Sequence, residues 1–191
     1  MSTQRTLSTA ETRRETVIRS AITVFARTGS LGTPVADVAA EAGISSAYVF
    51  KLFPEKVSLF VAALDRCYDL ILDALAAGAA SASSDAPEVI LHAMGGAYAN
   101  LIAQRDLLLL QVHAQAATDH PAIADAVRNG LARVTTFASD RSGAPDDAVQ
   151  EFIARGQLCH LIVALDLDAI DAPWSRIVSH GFRHPPADTA S

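Results

Sequence analysis

Apolar positions recur every three to four residues along most of the chain, and no run alternates every second residue as a half-buried strand would. Val17, Ile18, Ala21, Ile22 and Phe25 form one such stripe. They predict a first helix that Ser8 opens as N-cap, with Glu11 three residues later, and that Gly29 ends after Thr28. Thr33 and Pro34 predict a second, short helix, with Thr33 as N-cap and Pro34 in its first turn, stopping at Gly43. Ser45 caps a third over residues 46–53. Pro54 interrupts it and falls in the first turn of a long fourth helix over residues 55–77. Residues 78–84, all Gly, Ala or Ser, read as a small-residue linker. Further starts are expected at Pro87, after a break at Arg105 and Asp106, at Pro121, at Pro145 with an end near Leu167, and at Pro173 with an end near Phe182. The predicted fold is all-α: an N-terminal three-helix helix-turn-helix module followed by a larger helical domain. The expected division is an arm at 1–9, the module at 10–54, the helical domain at 55–183 and a tail at 184–191.

Residues 33–53 carry the most information. They read as helix, glycine turn, helix at helix-turn-helix spacing. Val35, Val38 and Ala39 give the first of the two helices one apolar face. Gly43 supplies the left-handed backbone of the turn, and Ile44 plugs the corner. In the second helix Val49, Phe50 and Phe53 are expected to point inward. Ala47, Tyr48 and Lys51 are expected outward, where a recognition helix meets the major groove. Ser45 and Ser46 stand at its N-terminus, where hydroxyls and free N–H groups can hold a phosphate.

Residues 12–64 resemble the DNA-binding region of the TetR family of bacterial regulators. That family shows Phe-x-x-x-Gly, then Thr, then Val-x-Asp-Ile-Ala-x-x-Ala-Gly-Val-Ser, then Tyr-x-x-Phe-x-x-Lys-x-x-Leu. Here these positions are Phe25 and Gly29, then Thr33, then Val35, Asp37, Val38, Ala39, Ala42, Gly43, Ile44 and Ser45, then Phe50, Phe53, Lys56 and Leu59. The recognition helix departs from the pattern: Tyr48 stands where Thr is usual, Lys51 where Tyr is usual and Leu52 where His is usual. A lysine still neutralises a phosphate, whereas Leu52 can touch a thymine methyl but cannot donate a hydrogen bond. The resemblance implies phosphate contacts from Thr33, Ser45, Lys51 and Lys56 and base contacts from Ala47 and Tyr48. It also implies approaches of Arg13 and Arg14 to the DNA backbone or the minor groove, with Arg5 in the arm. The implied function is a transcriptional regulator, a repressor in the usual case, that binds a palindromic operator as a homodimer and is released by a small effector. The departures support an alternative, a helical small-molecule-binding protein whose helix-turn-helix is only structural.

The rest of the chain matches that family only in layout. Residues 156–165 contain no charged side chain, so a helix there is apolar all round and needs a second partner besides its own core. A twofold-related copy meeting it through the 145–182 helices is the economical one. Polar or aromatic groups set in apolar helices are the effector-site candidates: Tyr68, Met94, Tyr98, Gln111, His113, Gln115, Phe137, Gln157 and His160, with Trp174 beside them. Few charges are expected to line that site, which favours an apolar-bodied, weakly polar effector. Gly95 and Gly96 inside a helix indicate close packing or a kink beside a cavity, and packing is the expectation taken here.

The net charge of −6 is uneven. Residues 1–64 hold seven Lys or Arg against five Asp or Glu, and residues 65–191 hold eight against sixteen. A local basic face is compatible with that split; a chain coated for nucleic acid is not. Two cysteines make no disulfide framework, and residues 1–15 contain no apolar signal-peptide core, so a reducing, cytoplasmic location and no membrane insertion are expected. No phosphate loop, nucleophile elbow or CxxC is present, and Cys159 and His160 are adjacent, so their side chains diverge by about 100° on a helix. His180 and His184 stand four apart, but Pro185 follows at once. No enzyme, cofactor or metal site is expected.

Overall fold

The computed structural model describes residues 9–182. The expected Ser8 cap, Arg5, His184 and the tail lie outside the described residues. Among those described there are nine α-helices and no strand: α1 (Thr9–Gly32), α2 (Val35–Glu41), α3 (Ser46–Leu52), α4 (Lys56–Ala80), α5 (Pro87–Ile102), α6 (Arg105–Ala116), α7 (Pro121–Ser142), α8 (Asp146–Ala164) and α9 (Pro173–Val178). The fold is the expected all-α one.

α4 is the axis. It packs against α1, α5 and α7, while α1 also runs along α6. One apolar cluster joins Val17 and Phe25 of α1, Val38 of α2, Val49 of α3, Leu59, Phe60 and Leu64 of α4, Met94 of α5 and Leu110 of α6. The rings of Phe25 and Phe60 meet edge to face, with centroids 5.1 Å apart.

The turn between α2 and α3 forms as the residues require. Gly43 has φ +66°, its N–H donates to the Ala40 carbonyl and the Ile44 N–H donates to the Ala39 carbonyl. These two bonds are a Schellman end, which closes the last carbonyls of α2. Ser45 then caps α3, its hydroxyl accepting the Tyr48 N–H at 3.2 Å.

Several boundaries differ from expectation for local reasons. Gly29 breaks the helical path (φ +70°, ψ −177°), but one more turn follows to Gly32. Thr33 does not cap α2. Its hydroxyl lies 2.6 Å from that of Thr28, and Pro34 is the N-cap residue. Pro54 precedes α4 instead of sitting in its first turn, because Glu55 and Ser58 form a reciprocal capping box. The expected linker at 78–84 is helical as far as Ala80: Gly78 is buried against α5, where a Cβ would come within 2.8 Å of the Ala97 Cβ. Small residues there serve close helix crossing, not flexibility. Arg105 and Asp106 form the first turn of α6 rather than the break before it. α8 ends at Ala164, ahead of Asp166 at φ +52°, and residues 167–169 form a separate 3₁₀ turn.

Candidate nucleic-acid interface and effector cavity

α3 presents Ala47, Phe50 and Lys51 to solvent, at i, i+3 and i+4 on one side of the helix. Phe50 is a correction: expected inward, it is 47% exposed. It lies about 100° round the helix from buried Val49, at the border of the apolar face, so the pattern alone could not place it. What α1 covers decides the matter. The Arg14 guanidinium lies over the ring of buried Phe53 at 4.7 Å, and nothing comparable among the described residues covers Phe50. Arg13 stands over the half-buried Tyr48 ring at 5.6 Å. Ser46 is half-buried beside the exposed Ser45 cap.

Thr33 is the second correction on this face. At 1% exposure and with its hydroxyl turned to Thr28, it does not present a group to a phosphate. Lys56 donates to the carbonyls of Leu31 at 3.4 Å and Thr33 at 3.3 Å, so it ties the α1–α2 turn to the start of α4.

In the body, a cavity of about 1250 Å³ opens between α4, α5, α7 and α8. It brings together four of the candidates, Tyr68, Tyr98, Gln111 and Gln157. The others lie elsewhere. Met94 is sealed in the core. His113 sits under the α1 kink, its Nδ1 3.0 Å from where a Gly29 Cβ would be. Gln115 is exposed and donates to Gln157 at 3.0 Å. Phe137 lines a separate shallow groove with Leu72 and Arg133. His160 stands behind the cavity wall, 2.8 Å from the Tyr98 hydroxyl, and Trp174 is exposed on α9.

Sequence reasoning missed Leu91 and Phe152 on the wall and the exposed Glu88, Glu151 and Arg155 among the lining residues. Charged groups are few in the lining, and those present are exposed. Glu151 and Arg155, one turn apart on α8, were the signal available. The glycine expectation is corrected. Gly95 and Gly96 both border the cavity; a Cβ on Gly96 would meet nothing within 4 Å.

Burial sets the protonation of this region. It pushes the Tyr68 hydroxyl up to about 12 and raises Tyr98 strongly. It pushes the Cys159 thiol up to about 11, against a smaller opposing pull from Arg155, and the Cys67 thiol up to about 12. His160 is pushed down to about 4 by burial, and its Nδ1 is sealed with no hydrogen-bond partner among the described residues. A neutral histidine buried this way binds a proton more readily unfolded than folded. Stability is therefore expected to fall as pH drops from about 6.5 towards 4, by about 2–3 kcal/mol, and to be insensitive to this group above that window. Denaturant melts at pH 7 and pH 4.5 check this, with His160→Gln as control; an equal pH dependence in the variant would reject His160 as the source.

A surface of different character lies on α8 and α9. Gln157 and Leu161 stand four residues apart on the open side of α8, Leu161 at 55% exposure, and exposed Leu165 follows at its C-cap. Trp174 and Ile177 stand exposed on α9, the latter at 76%. Among the described residues no group of three or more His, Cys, Asp or Glu could hold a metal, and no helix is long and apolar enough to cross a membrane.

Residues 17–63 match the family model of the bacterial regulatory proteins, tetR family. No curated protein sequence matches the chain. Among solved structures, a TetR-like transcriptional regulator from Rhodococcus sp. RHA1 is similar, with a TM-score of 0.64 and 18% identity over 93% of this chain and 90% of that one. The transcriptional regulator FadR from Bacillus subtilis, in complex with stearoyl-CoA, has a TM-score of 0.67 and 14% identity over 86% of this chain and 94% of that one. The multidrug binding protein EbrR, complexed with imidazole, has a TM-score of 0.63 and 21% identity over 91% and 96%. At these identities the likeness is one of fold.

Proposed function

We propose that the chain, whose residues 17–63 match the family model of the bacterial regulatory proteins, tetR family, is a transcriptional regulator: a cytoplasmic repressor that binds a palindromic operator as a homodimer and is released by a small effector. The observation that carries this is the outward face of α3. Ala47, Phe50 and Lys51 stand free on a short helix whose entry is fixed by the Gly43 turn and the Ser45 cap. In this reading residues 10–54 read DNA. Lys51, Ser45, Ser46 and Arg14 meet phosphates, while Ala47, Tyr48 and Phe50 face bases, Phe50 by apolar contact with a thymine methyl. Lys56 holds the turn that Thr33 buries and turns its remaining N–H toward the backbone of the duplex.

Residues 55–183 hold the effector and the dimer contact. Similar folds bind ligands as unlike as stearoyl-CoA and imidazole, which supports the cavity as the effector site without fixing its chemistry. Release requires that the effector bind the DNA-fitting and non-fitting dimer geometries unequally.

Selection of bound duplexes from a random pool tests the reading: an enriched palindrome is expected. Lys51→Ala should then weaken binding roughly 3–10-fold on operator and unrelated duplex alike, and lower the salt slope by about 1. Absence of enrichment, together with a Lys51→Ala variant indistinguishable from wild type at low salt, would favour a helix-turn-helix that is only structural.

A further inference from the structure

Tyr68 of α4 is buried, at 7% exposure, and borders the cavity. Its ring lies on the backbone of α7 at Gly130. A Cβ at that position would fall inside the space of the ring, against Cδ2, Cε2 and Cζ. Any side chain at 130 must therefore displace the ring from α7.

The hydroxyl of Tyr68 makes no hydrogen bond within the protein among the described residues, yet it is not sealed. The one sealed, partnerless side-chain polar atom there is His160 Nδ1. Of the other polar side chains of the lining, His92 and Asn100 are exposed, and three more are engaged. Tyr98 pairs with His160 Nε2, the Gln111 amide donates to the Leu107 carbonyl at 3.1 Å, and the Gln157 carbonyl oxygen accepts from Gln115. Around them the wall is apolar, with Ile71, Leu75, Leu91 and Phe152, while the charges stand at the exposed rim. A bare charge placed beside Tyr68 would be unpaired and costly; a neutral oxygen would gain the donor that Tyr68 offers. Because burial holds the hydroxyl protonated, it remains a donor throughout the neutral range.

We propose that Gly130 and Tyr68 together set what the cavity accepts. Gly130 seats the ring and so fixes the depth of the cavity, and Tyr68 donates to an uncharged carbonyl or ester oxygen on an apolar-bodied effector. This rests on reading the cavity as the effector site. Gly130 is a positioning residue acting through Tyr68.

The probe is prodan, an uncharged naphthalene ketone whose emission moves to the red when its carbonyl accepts a hydrogen bond. Wild type is expected to bind it with red-shifted emission. Tyr68→Phe should keep the stoichiometry, weaken binding about 3–10-fold and shift emission to the blue. Gly130→Ala should weaken binding more than tenfold by driving the ring into the cavity, and adding Tyr68→Ala to it should restore capacity. Failure of wild type to bind prodan overturns the proposal, as does a Tyr68→Phe variant with wild-type affinity and colour. A change in affinity with no change in colour would overturn the donor role. Duplex binding measured on the same samples separates the two readings: loss of DNA binding in wild type strikes the regulator, whereas intact DNA binding with an unresponsive probe strikes only this proposal.

Discussion

If the proposed homodimer forms through α8, Leu161→Glu is expected to leave a monomer and to weaken binding of a duplex carrying both half-sites by roughly 10²–10⁴-fold. The argument starts from α8. Leu161 stands exposed on a helix whose other side is already packed through Cys159 and Ile162, and exposed Leu165 follows at its C-cap. Ile170, Trp174 and Ile177 add exposed apolar surface close by in sequence. In a twofold interface each residue acts twice, so one substitution places two carboxylates in the same apolar patch. In the proposed dimer each α3 would still read its own half-site, but the second contact would no longer be delivered at high effective concentration. Sedimentation velocity and duplex titration read the two consequences separately. Leu31→Glu, at a residue 88% exposed at the end of α1, serves as the mass control. A Leu161→Glu protein that sediments with the mass of two chains would remove α8 from the proposed interface.

Phe60→Ala is expected to cost about 3–5 kcal/mol, a large fraction of the ~5–15 kcal/mol that holds a domain folded. Phe60 has no exposed surface and touches Phe25 edge to face, so the variant loses transfer energy, opens a void and removes an aromatic pair. The void would sit where α1 crosses α4, among residues that pack both against the helix-turn-helix and against the body. The urea midpoint should fall with an unchanged slope, as one transition. Phe60→Leu should recover much of the loss. A cost below about 1 kcal/mol for Phe60→Ala would mean that the neighbours collapse into the void.

Local chemistry was the legible part of the chain. The Gly43 turn and the Ser45 cap are each settled within a few residues, and both form as the sequence predicts. Thr33 was misread because two hydroxyls compete for the same turn, and Thr28 reaches it across a break that Gly29 creates. Residues 78–80 were misread because small side chains serve a flexible linker and a tight helix crossing equally well; only the position of α5 distinguishes them. The cavity was half legible. Met94 and Tyr98 are one turn apart on α5 and equally plausible from pattern, but Met94 is sealed in the core and Tyr98 reaches the cavity. A void is a property of how helices fail to meet, and no single helix records it. The rim charges were visible as residues but not as neighbours, since Glu88 and Glu151 come from different helices.

The shared core also limits how the recognition helices could be transplanted. Residues 33–53 look like a self-contained cassette, but Lys56 holds the turn before them, and Leu59, Phe60 and Ala63 fill the space beneath them. A graft that ends at Phe53 would carry the reading surface and leave its foundation behind. The smallest portable unit runs from the α1 stripe at Val17 to Leu64, and a recipient scaffold must continue α4 as an unbroken helix to accept it.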